Sequence, residues 1–565
     1  MTFRPEYEIR SRVPAVFCTL LFGVLFACIA SGILLGALPW AGWRQDMPVT
    51  LTGLEILRFA AWRWDSILWA IDVHNLQYPL LARGAAIAAG SVGAGVAAGW
   101  IVWNATPFVD TRHHYEGIRH LKGKAAVAAA NHAIQKEITE SGRAYEFAPG
   151  VWFSQLRALV NVLILGAPGS GKTRIVLYLI EQILDGFGPL RNKSQGLLIH
   201  DTTGEIRRGF PRDHAQIASV GLGGKDVWAW AIGEDVLTAD DADEVARRLL
   251  GERPGPKHSN SVFDAGGSTI FAGCIVICQK THGRKWGAQE LLEIVSLDAA
   301  TLYAKLVEVD SPAVALLDMD EDGRSLSKTS ASFMLTYRAH VLRVLGPLAR
   351  HWRDVSPNRR FSFVRWMNGD HKQPRIVLLQ RSARLSELSA AWIGAVIDLI
   401  AAYATDAAFN PDKKWRLHLV LDEFHQLGPL GRFQELLDVG RNKNVSVIAT
   451  LQDLNQLRLS YNKDGANNMI GRFATVIIGR MRQGEPSTEV SKYMIGPRTI
   501  VDTPEKPHKS DASSPSPKRE IPLVRSEQLS QELGVFDDKV HALVTGFGDV
   551  LELTWPVTVW PPRQS

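Results

Sequence analysis

The sequence predicts an α/β protein in which an all-α segment interrupts the sheet and two transmembrane helices come first. Three observations predict it. Two runs near the amino terminus, residues 13–43 and 84–109, carry no charged residue. Short apolar strands alternate with helices over residues 162–230 and again over residues 375–479. Between them, residues 237–352 repeat apolar side chains three and four positions apart, which is the period of a helix.

The composition fits a folded chain with some membrane sequence. The chain has 565 residues, too many for a single hydrophobic core, so we expect two or more domains. Its net charge of +5 is small for this length and permits contact with nucleic acid or anionic lipid without indicating either. The four cysteines lack partners at zinc-site spacing and suggest no disulfide framework.

The two uncharged runs predict a membrane anchor over residues 1–110, with spans at about 13–40 and 84–106. Both runs pass the length of about 20 residues that a span needs. Interfacial aromatic residues stand near their ends: Trp40, Trp43, Trp100 and Trp103. The first run is too long for a signal peptide. The second is rich in Gly and Ala, which favours close helix–helix contact. The alternative is that these runs are buried core helices.

Basic residues flank the pair of spans on the sides away from the hairpin between them. They are Arg4, Arg10, Arg12, Arg112, Arg119, Lys122 and Lys124. Because basic residues concentrate on the cytoplasmic side, both termini are predicted inside. Roughly forty residues between the spans would then face the outside as a short hairpin, and everything after Thr111 would be cytoplasmic.

One octet between a predicted strand and a predicted helix matches the phosphate-loop pattern GxxxxGK[ST]. It consists of Gly166, Ala167, Pro168, Gly169, Ser170, Gly171, Lys172 and Thr173. Its glycines let backbone N–H groups approach phosphate oxygens, and Lys172 adds a positive charge for the outer phosphates. The hydroxyl of Thr173 is a ligand for Mg²⁺. A helix starting near Lys172 points its positive end at the anion.

Such a loop usually works with a carboxylate at the end of a neighbouring strand. The segment WRLHLVLDE, residues 415–423, is a short apolar strand that ends in Asp422 and Glu423. We expect Asp422 to hold the metal through water and Glu423 to act as general base on the attacking water. The alternative is an ordinary strand terminus.

Two further residues are candidates for the same reaction. Gln452 follows the apolar strand at residues 445–451, at the position where RecA-type motor ATPases carry a polar residue that senses the outer phosphate. The alternative for Gln452 is a solvated loop residue. Arg441 precedes this strand and suits an arginine finger that reaches the nucleotide of a neighbouring subunit. Its alternative is a surface arginine.

The long separation of Lys172 from Asp422 indicates an insertion. We predict a nucleotide-binding domain in two parts, residues 111–232 and 353–565, with an all-α domain at residues 233–352 between them. The basic stretch PLARHWRDVSPNRR, residues 347–360, suits either a nucleic-acid contact or a solvated charged face.

With these motifs placed, the chain resembles the type IV secretion coupling proteins of the TraG/VirD type over nearly its whole length. The motifs that carry the resemblance are GAPGSGKT, HDTTGE (residues 200–205), LDEFHQLGPL (residues 421–430) and IATLQDLNQL (residues 448–457). Members commonly have Lys where this chain has Thr203, and Pro where it has His425.

The resemblance implies a RecA-like ATPase that uses ATP and Mg²⁺ and assembles as a homo-hexamer. It implies a multi-pass protein of the bacterial inner membrane, with a short periplasmic hairpin and the bulk of the chain in the cytoplasm. Its partners would be secretion-channel components and a relaxase–DNA complex or protein effectors. The helical insertion would take part in substrate recognition, and Arg441 would be the finger that acts in trans.

Two functions are compatible with these motifs. In the first, ATP hydrolysis drives translocation of DNA, or transfer of protein, into the secretion channel. In the second, the chain is an ATP-dependent receptor and gate for protein effectors without DNA translocation. A chromosome-pumping ATPase is disfavoured because that family carries more spans and a basic winged-helix tail, and neither feature is visible in this sequence. An ABC transporter subunit is disfavoured because the sequence has no LSGGQ-like stretch.

Overall fold

The chain divides into two compact units in the computed structural model. One comprises Met1–Glu116 and Thr499–Glu520, and the other comprises Gly117–Arg498 and Ile521–Ser565. The structure describes residues 8–9, 13–44, 47–59, 63–73, 76–106, 109–110, 112–186, 195–210, 217–223, 226–250, 261–320, 325–410, 415–502 and 518–561.

The amino-terminal elements are mostly helical. In chain order they are β1 (Glu8–Ile9), α1 (Val13–Ser31), β2 (Pro39–Arg44), β3 (Met47–Thr52), α2 (Gly53–Phe59), α3 (Trp64–Val73), α4 (Gln77–Ala105), β4 (Val109–Asp110) and β5 (Arg112–Gly117). A wider π-helical turn, Gly32–Ala37, continues α1. The hairpin between the two long helices contains the antiparallel pair β2 and β3.

Two of these helices are candidate membrane spans. Among the described residues, three helices are long and apolar enough to cross a membrane by length and composition: Val13–Ala37, Gln77–Ala105 and Ala383–Thr405. The third is mostly buried inside the second unit. The first two leave most of their apolar side chains exposed within the unit. Length and composition therefore support the two predicted spans.

The two long helices pack closely through glycine. A Cβ added at Gly95 would lie 2.5 Å from the Thr19 carbonyl oxygen, and one added at Gly90 would lie 2.4 Å from the Phe26 ring. Only glycine allows backbones to approach this closely. The Gly- and Ala-rich composition of the second run thus reflects helix–helix contact, as predicted.

The second helix begins earlier than the predicted span, which started at residue 84. Arg83 directly precedes the uncharged run in the sequence and so set the start of the predicted span, yet it lies inside α4. Its guanidinium donates hydrogen bonds to the carbonyls of Leu38 (3.0 Å) and Pro39 (2.6 Å), and also to that of Leu34. The charge is therefore satisfied by carbonyls at the end of the first helix, which residue counting does not reveal.

The second unit starts with the elements around the phosphate loop. They are β6 (His120–Lys122), α5 (Gly123–Ser141), β7 (Arg143–Ala148), β8 (Val151–Ser154), β9 (Val162–Leu165), α6 (Lys172–Asp185), β10 (Gln195–Asp201), α7 (Glu205–Gly209), β11 (Ile217–Val220), β12 (Ala229–Trp230) and α8 (Ile232–Asp235). A run of helices follows: α9 (Ala239–Leu249), α10 (Ser261–His282), α11 (Ala288–Val295), α12 (Ala299–Glu308) and α13 (Lys328–Trp352).

Strands resume after residue 359. The remaining elements are β13 (Arg360–Phe361), α14 (Phe363–Met367), β14 (Ile376–Gln380), α15 (Ser386–Thr405), β15 (Arg416–Leu421), α16 (Phe433–Val439), β16 (Val445–Leu451), α17 (Leu454–Ile470), β17 (Thr475–Ile478), α18 (Glu485–Glu489), β18 (Pro497–Asp502), β19 (Lys518–Pro522), α19 (Ser526–Gln531), β20 (Gly534–Phe536), β21 (Lys539–Phe547) and β22 (Asp549–Pro556). The last strand pair, β21 and β22, forms an antiparallel hairpin.

One sheet organises this unit. Its strand order is β11-β14-β10-β15-β16-β9-β17-β21-β22-β6, with β20 paired to β21. From β11 to β17 in this order, neighbouring strands run parallel. Their carboxyl ends therefore meet at one edge, where ligands bind in open α/β sheets.

Both faces of the sheet are covered. In β9, Leu163 and Leu165 belong to one apolar core, while Val162 and Ile164 belong to another. The first core is shared with helices α9–α13 and α15, and the second with α5, α6 and the β7–β8 hairpin. Strands buried on both faces are continuous apolar runs, which explains the runs read from the sequence.

The chain leaves the sheet region and returns to it at one place. Strand β12, before the run of helices, pairs with β13, after it. The buried carboxylate of Asp235 accepts hydrogen bonds from Trp230 Nε1 (2.8 Å) on the outgoing chain. It also accepts from the backbone N–H groups of Phe363 (2.9 Å) and Val364 (3.1 Å) on the returning chain. One side chain thus ties the two ends of the helical insertion, whose bounds as a domain stay a prediction.

Candidate nucleotide-binding site

The phosphate loop connects β9 to α6, as the sequence predicts. Gly169 and Gly171 adopt φ values of 75° and 91°, in the left-handed region that side chains disfavour. A Cβ added at Gly171 would also lie 2.5 Å from Val540 Cγ1. The loop therefore requires glycine at both positions for conformation, and at Gly171 for space as well.

Lys172 is buried at the start of α6. Its amine donates hydrogen bonds to the carbonyls of Gly166 and Ala167 and lies 3.6 Å from Glu423 Oε1. Burial lowers the pKa of Lys172, and the carboxylates of Glu423 and Asp422 oppose that shift. The amine is held at the loop in a partly dehydrated setting, where its charge acts strongly on an anion.

The strand register brings the other predicted residues to the same edge. Leu421 pairs with His200 on one side and with Ala449 on the other. Leu451 pairs with Leu165, and its carbonyl accepts a hydrogen bond from the Gly166 N–H at 3.1 Å. Residues 422 and 452, each one position beyond its strand, therefore flank the phosphate loop.

Two hydroxyl groups orient the carboxylate of Asp422. Thr202 Oγ1 donates to Oδ2 at 2.6 Å, and Thr450 Oγ1 donates to Oδ1 at 3.0 Å. His200 Nδ1 lies 2.9 Å from the backbone carbonyl oxygen of Asp422. Side chains on both neighbouring strands thus fix this carboxylate, which is the support that a metal-holding carboxylate needs.

Glu423 lies on a strained backbone beside Lys172. Its φ is 48°, and its N–H donates to Thr450 Oγ1 at 2.8 Å. Gln452 lines the same cavity, and His425 Nδ1 lies 3.5 Å from the Oε2 atom of Glu423. Within the described part of the chain, the buried Oε2 atom has no hydrogen-bond partner. Burial raises the pKa of Glu423, against the lowering effects of Lys172 and Gln452. A non-glycine residue in the left-handed region is typical of functional sites.

These residues line a cavity of about 380 Å³. Its other walls include residues that the sequence did not single out: Arg174, Thr202, Glu205, Arg381, Gln426 and Val535. Arg174 is paired with Glu205 at 2.9 Å. Arg381 directly follows β14, so an arginine at a strand end was the available signal. Thr450 stood within a quoted motif, but its bond to Asp422 required the strand register.

Arg441 does not join the site of its own chain. It is exposed in the 3₁₀ turn Gly440–Lys443, before the amino end of β16, whereas Gln452 follows the carboxyl end. The length of β16 separates the two ends by about 20 Å. Arg441 lies near Glu137 and lowers the pKa of that carboxyl, after the larger effects of Arg157 and Ser154 and against burial. Any contact with a nucleotide would therefore be with that of another subunit.

The site fits a nucleotide held with Mg²⁺. Residues of the phosphate loop line one cavity together with Thr173 and the oriented Asp422. Among the described residues, no group of three or more His, Cys, Asp or Glu could hold a metal. Few protein ligands suit Mg²⁺, which keeps several waters and shares phosphate oxygens with its substrate.

A parallel sheet with a phosphate loop and an adjacent Asp–Glu strand end defines a P-loop nucleotide-binding protein. Residues 147–543 match the family model described as the type IV secretion-system coupling protein DNA-binding domain. The chain belongs to this family.

Solved structures confirm the fold. The unbound monoclinic form of the bacterial conjugative coupling protein TrwBdeltaN70 matches with a TM-score of 0.64 at 16% identity, covering 81% of this chain and 97% of that one. The TrwB complexes with ADP and Mg²⁺ and with the ATP analogue ADPNP each match with a TM-score of 0.61 at 15% identity, covering 80% of this chain and 96% of that one. The chain therefore has the predicted RecA-like α/β fold with an inserted all-α domain. No curated protein matches it.

Proposed function

We propose that the chain is an inner-membrane coupling ATPase of a type IV secretion or conjugation system. It recruits relaxase–DNA complexes, protein substrates or both, and ATP hydrolysis drives their transfer to the secretion channel. The observation that carries the proposal is the convergence of Lys172, Asp422 and Glu423 in one cavity of a coupling-family chain.

The nucleotide proposal draws on the TrwB complexes with ADP and Mg²⁺ and with ADPNP. In this chain the backbone N–H groups of residues 169–173 and the Lys172 amine would hold the phosphates. Thr173 and Asp422 would hold Mg²⁺, directly and through water. When bound, Mg²⁺ neutralises negative charge on the phosphate oxygens.

The chain's own residues then have separate tasks. Glu423 orients the attacking water and accepts its proton, which its buried, partly unpaired carboxylate suits. Gln452 lines the same cavity as Glu423 and the phosphate loop, where it would sense the outer phosphate. Arg441 would approach from a neighbouring subunit and stabilise charge as the bond to the outer phosphate breaks.

The proposed function also assigns a role to each part of the chain. Residues 1–110 would anchor it through two inner-membrane spans, with the remainder in the cytoplasm. Residues 111–232 and 353–565 would form the nucleotide-binding domain, and residues 233–352 the all-α domain that recognises substrates. A homo-hexamer under the channel would supply the neighbour that Arg441 requires.

ATP hydrolysis by the purified full chain in nanodiscs, with and without single-stranded DNA, tests the proposal. We expect DNA to raise the rate, and we expect Lys172→Ala to abolish the rate without preventing membrane insertion. Lys136→Ala, which changes an exposed lysine on α5, is the matched control. A rate that ignores DNA but rises with a substrate protein would favour the receptor and gate. Full activity in Lys172→Ala would overturn the site.

A further inference from the structure

The loop after Glu423 is held by side chains from three separate helices. It contains the 3₁₀ turn Phe424–Leu427 and ends where α16 begins. The N–H of Leu430 donates to the Tyr461 hydroxyl of α17 at 2.7 Å. The N–H groups of Gly431 and Arg432 donate to the Asp398 carboxylate of α15 at 3.1 and 3.2 Å. The backbone beyond Glu423 is therefore fixed by tertiary contacts.

The third helix is α9, the first helix of the insertion. Arg248, in its last turn, donates hydrogen bonds to the carbonyls of Leu427 (3.0 Å) and Pro429. Its Nε also lies 3.1 Å from Asp398 Oδ2, and the two side chains are only 10% and 1% exposed. Breaking one member of a buried ion pair leaves the other uncompensated, so this contact resists rearrangement.

The packing around Arg248 is specific. A Cβ added at Gly394 of α15 would lie 2.4 Å from Arg248 Nη2. Gly394 lies within helix α15, where glycine is less favourable than alanine. The glycine therefore makes the space in which the guanidinium rests on α15 and reaches the loop.

We propose that Arg248 is a positioning residue for Glu423. It fastens the loop that follows this carboxylate to the helical insertion, so that displacement of α9 by a bound substrate is passed to the ATP site. The proposal rests on the hydrolytic function proposed above. It assigns to Arg248 a mechanical link between the insertion and the reaction.

Kinetics of the full chain in nanodiscs test the link. We expect Arg248→Met to lower kcat by about tenfold or more, because a small shift of a catalytic group is costly. The KM for ATP and the Kd for ADP should stay within about twofold, since the phosphate loop is untouched. Arg248→Lys should recover part of the rate. The matched control is Arg247→Met, which removes the adjacent arginine, half-exposed and paired with Glu244.

Hydrogen exchange supplies a readout that is independent of activity. Amides of residues 424–432 should exchange faster in Arg248→Met and in Gly394→Ala, which displaces the guanidinium without removing it. They should be unchanged in Arg247→Met. A wild-type kcat in Arg248→Met, or a parallel loss of kcat and ADP affinity, would overturn the proposal, as would unchanged exchange. If the wild-type chain hydrolyses no ATP, the proposed function fails, and exchange still decides whether Arg248 holds the loop.

Discussion

The amine of Lys172 lies 3.6 Å from a carboxylate oxygen of Glu423, and both side chains are nearly buried. One residue begins the helix after the phosphate loop, and the other follows a strand beyond the helical insertion. Opposite charges this close in a dry pocket affect each other strongly. The two halves of the site therefore share one electrostatic environment.

The first prediction separates binding from hydrolysis. We expect Glu423→Gln to retain ATP affinity and to lose at least about a hundredfold in turnover, because an amide cannot accept the proton of water. Fluorescent-nucleotide binding and phosphate release measure the two quantities. Glu435→Gln, an exposed change on α16, should leave both unchanged. Turnover that survives in Glu423→Gln would exclude this residue as the base.

The second prediction concerns the support of Asp422. Thr202→Val removes the hydroxyl that donates to Oδ2, and we expect the Mg²⁺ concentration for half-maximal activity to rise about tenfold. Titration of activity with Mg²⁺ at saturating ATP measures it. Thr203→Val, which alters the next hydroxyl in the same loop, is the control and should shift it little. Equal Mg²⁺ requirements in both variants would contradict the proposed metal role.

The third prediction tests whether Arg441 acts in trans. Rings of Lys172→Ala alone and of Arg441→Ala alone should both be inactive. In a 1:1 mixture, about a quarter of the sites would combine an intact Lys172 with an intact Arg441 from the neighbour, so activity should return. Phosphate release from co-reconstituted subunits measures this recovery. A mixture as inactive as its components would place the two residues in one site.

The fourth prediction is a pH dependence of stability outside the site. His418 is buried within β15 beside Ser446, and burial together with Arg416 lowers its pKa from 6.5 to about 4. The unfolded chain therefore binds a proton that the folded chain does not between these values. The contribution of His418 to the free energy of unfolding is therefore complete above pH 6.5. As the pH falls below 6.5, this contribution decreases by up to about 1.4 kcal/mol per pH unit.

Thermal unfolding between pH 7 and pH 4 checks this slope. We expect the loss of Tm on acidification to be smaller in His418→Gln than in the wild type, whatever the Tm at pH 7. His132→Gln, on the exposed side of α5, provides the comparison. An unchanged slope in His418→Gln would show that this imidazole is not held neutral.

Local patterns in the sequence were sufficient for much of the fold. The strand predicted before the phosphate loop is β9, and the helical period over residues 237–352 corresponds to helices α9–α13. These features depend on neighbours in the chain, so residue spacing reveals them. The meeting of Lys172, Asp422 and Glu423 was also predictable, because each lies after a strand that the apolar pattern marks.

The residues that hold the site residues in place could not be predicted from the sequence. Thr202 and Thr450 reach Asp422 only because β10, β15 and β16 are adjacent, and no local pattern gives that order. In the sequence Arg248 is an ordinary arginine near the end of a helix. Only the structure shows that it contacts the loop at residues 427–429. Arg83 likewise shortened a predicted span, because the carbonyls of Leu38 and Pro39 that accept its hydrogen bonds lie just beyond the end of the other long helix. Contacts between distant segments were what sequence reasoning lacked.

The carboxylate of Asp235 joins the outgoing and returning ends of the insertion. An insertion whose two ends are joined by one buried carboxylate can lengthen, shorten or diverge while the register of the sheet stays the same. Residues 237–352 can therefore diverge as a unit without disturbing the strands around the phosphate loop. Variation among relatives should then accumulate there, and the strands that frame the phosphate loop should change most slowly.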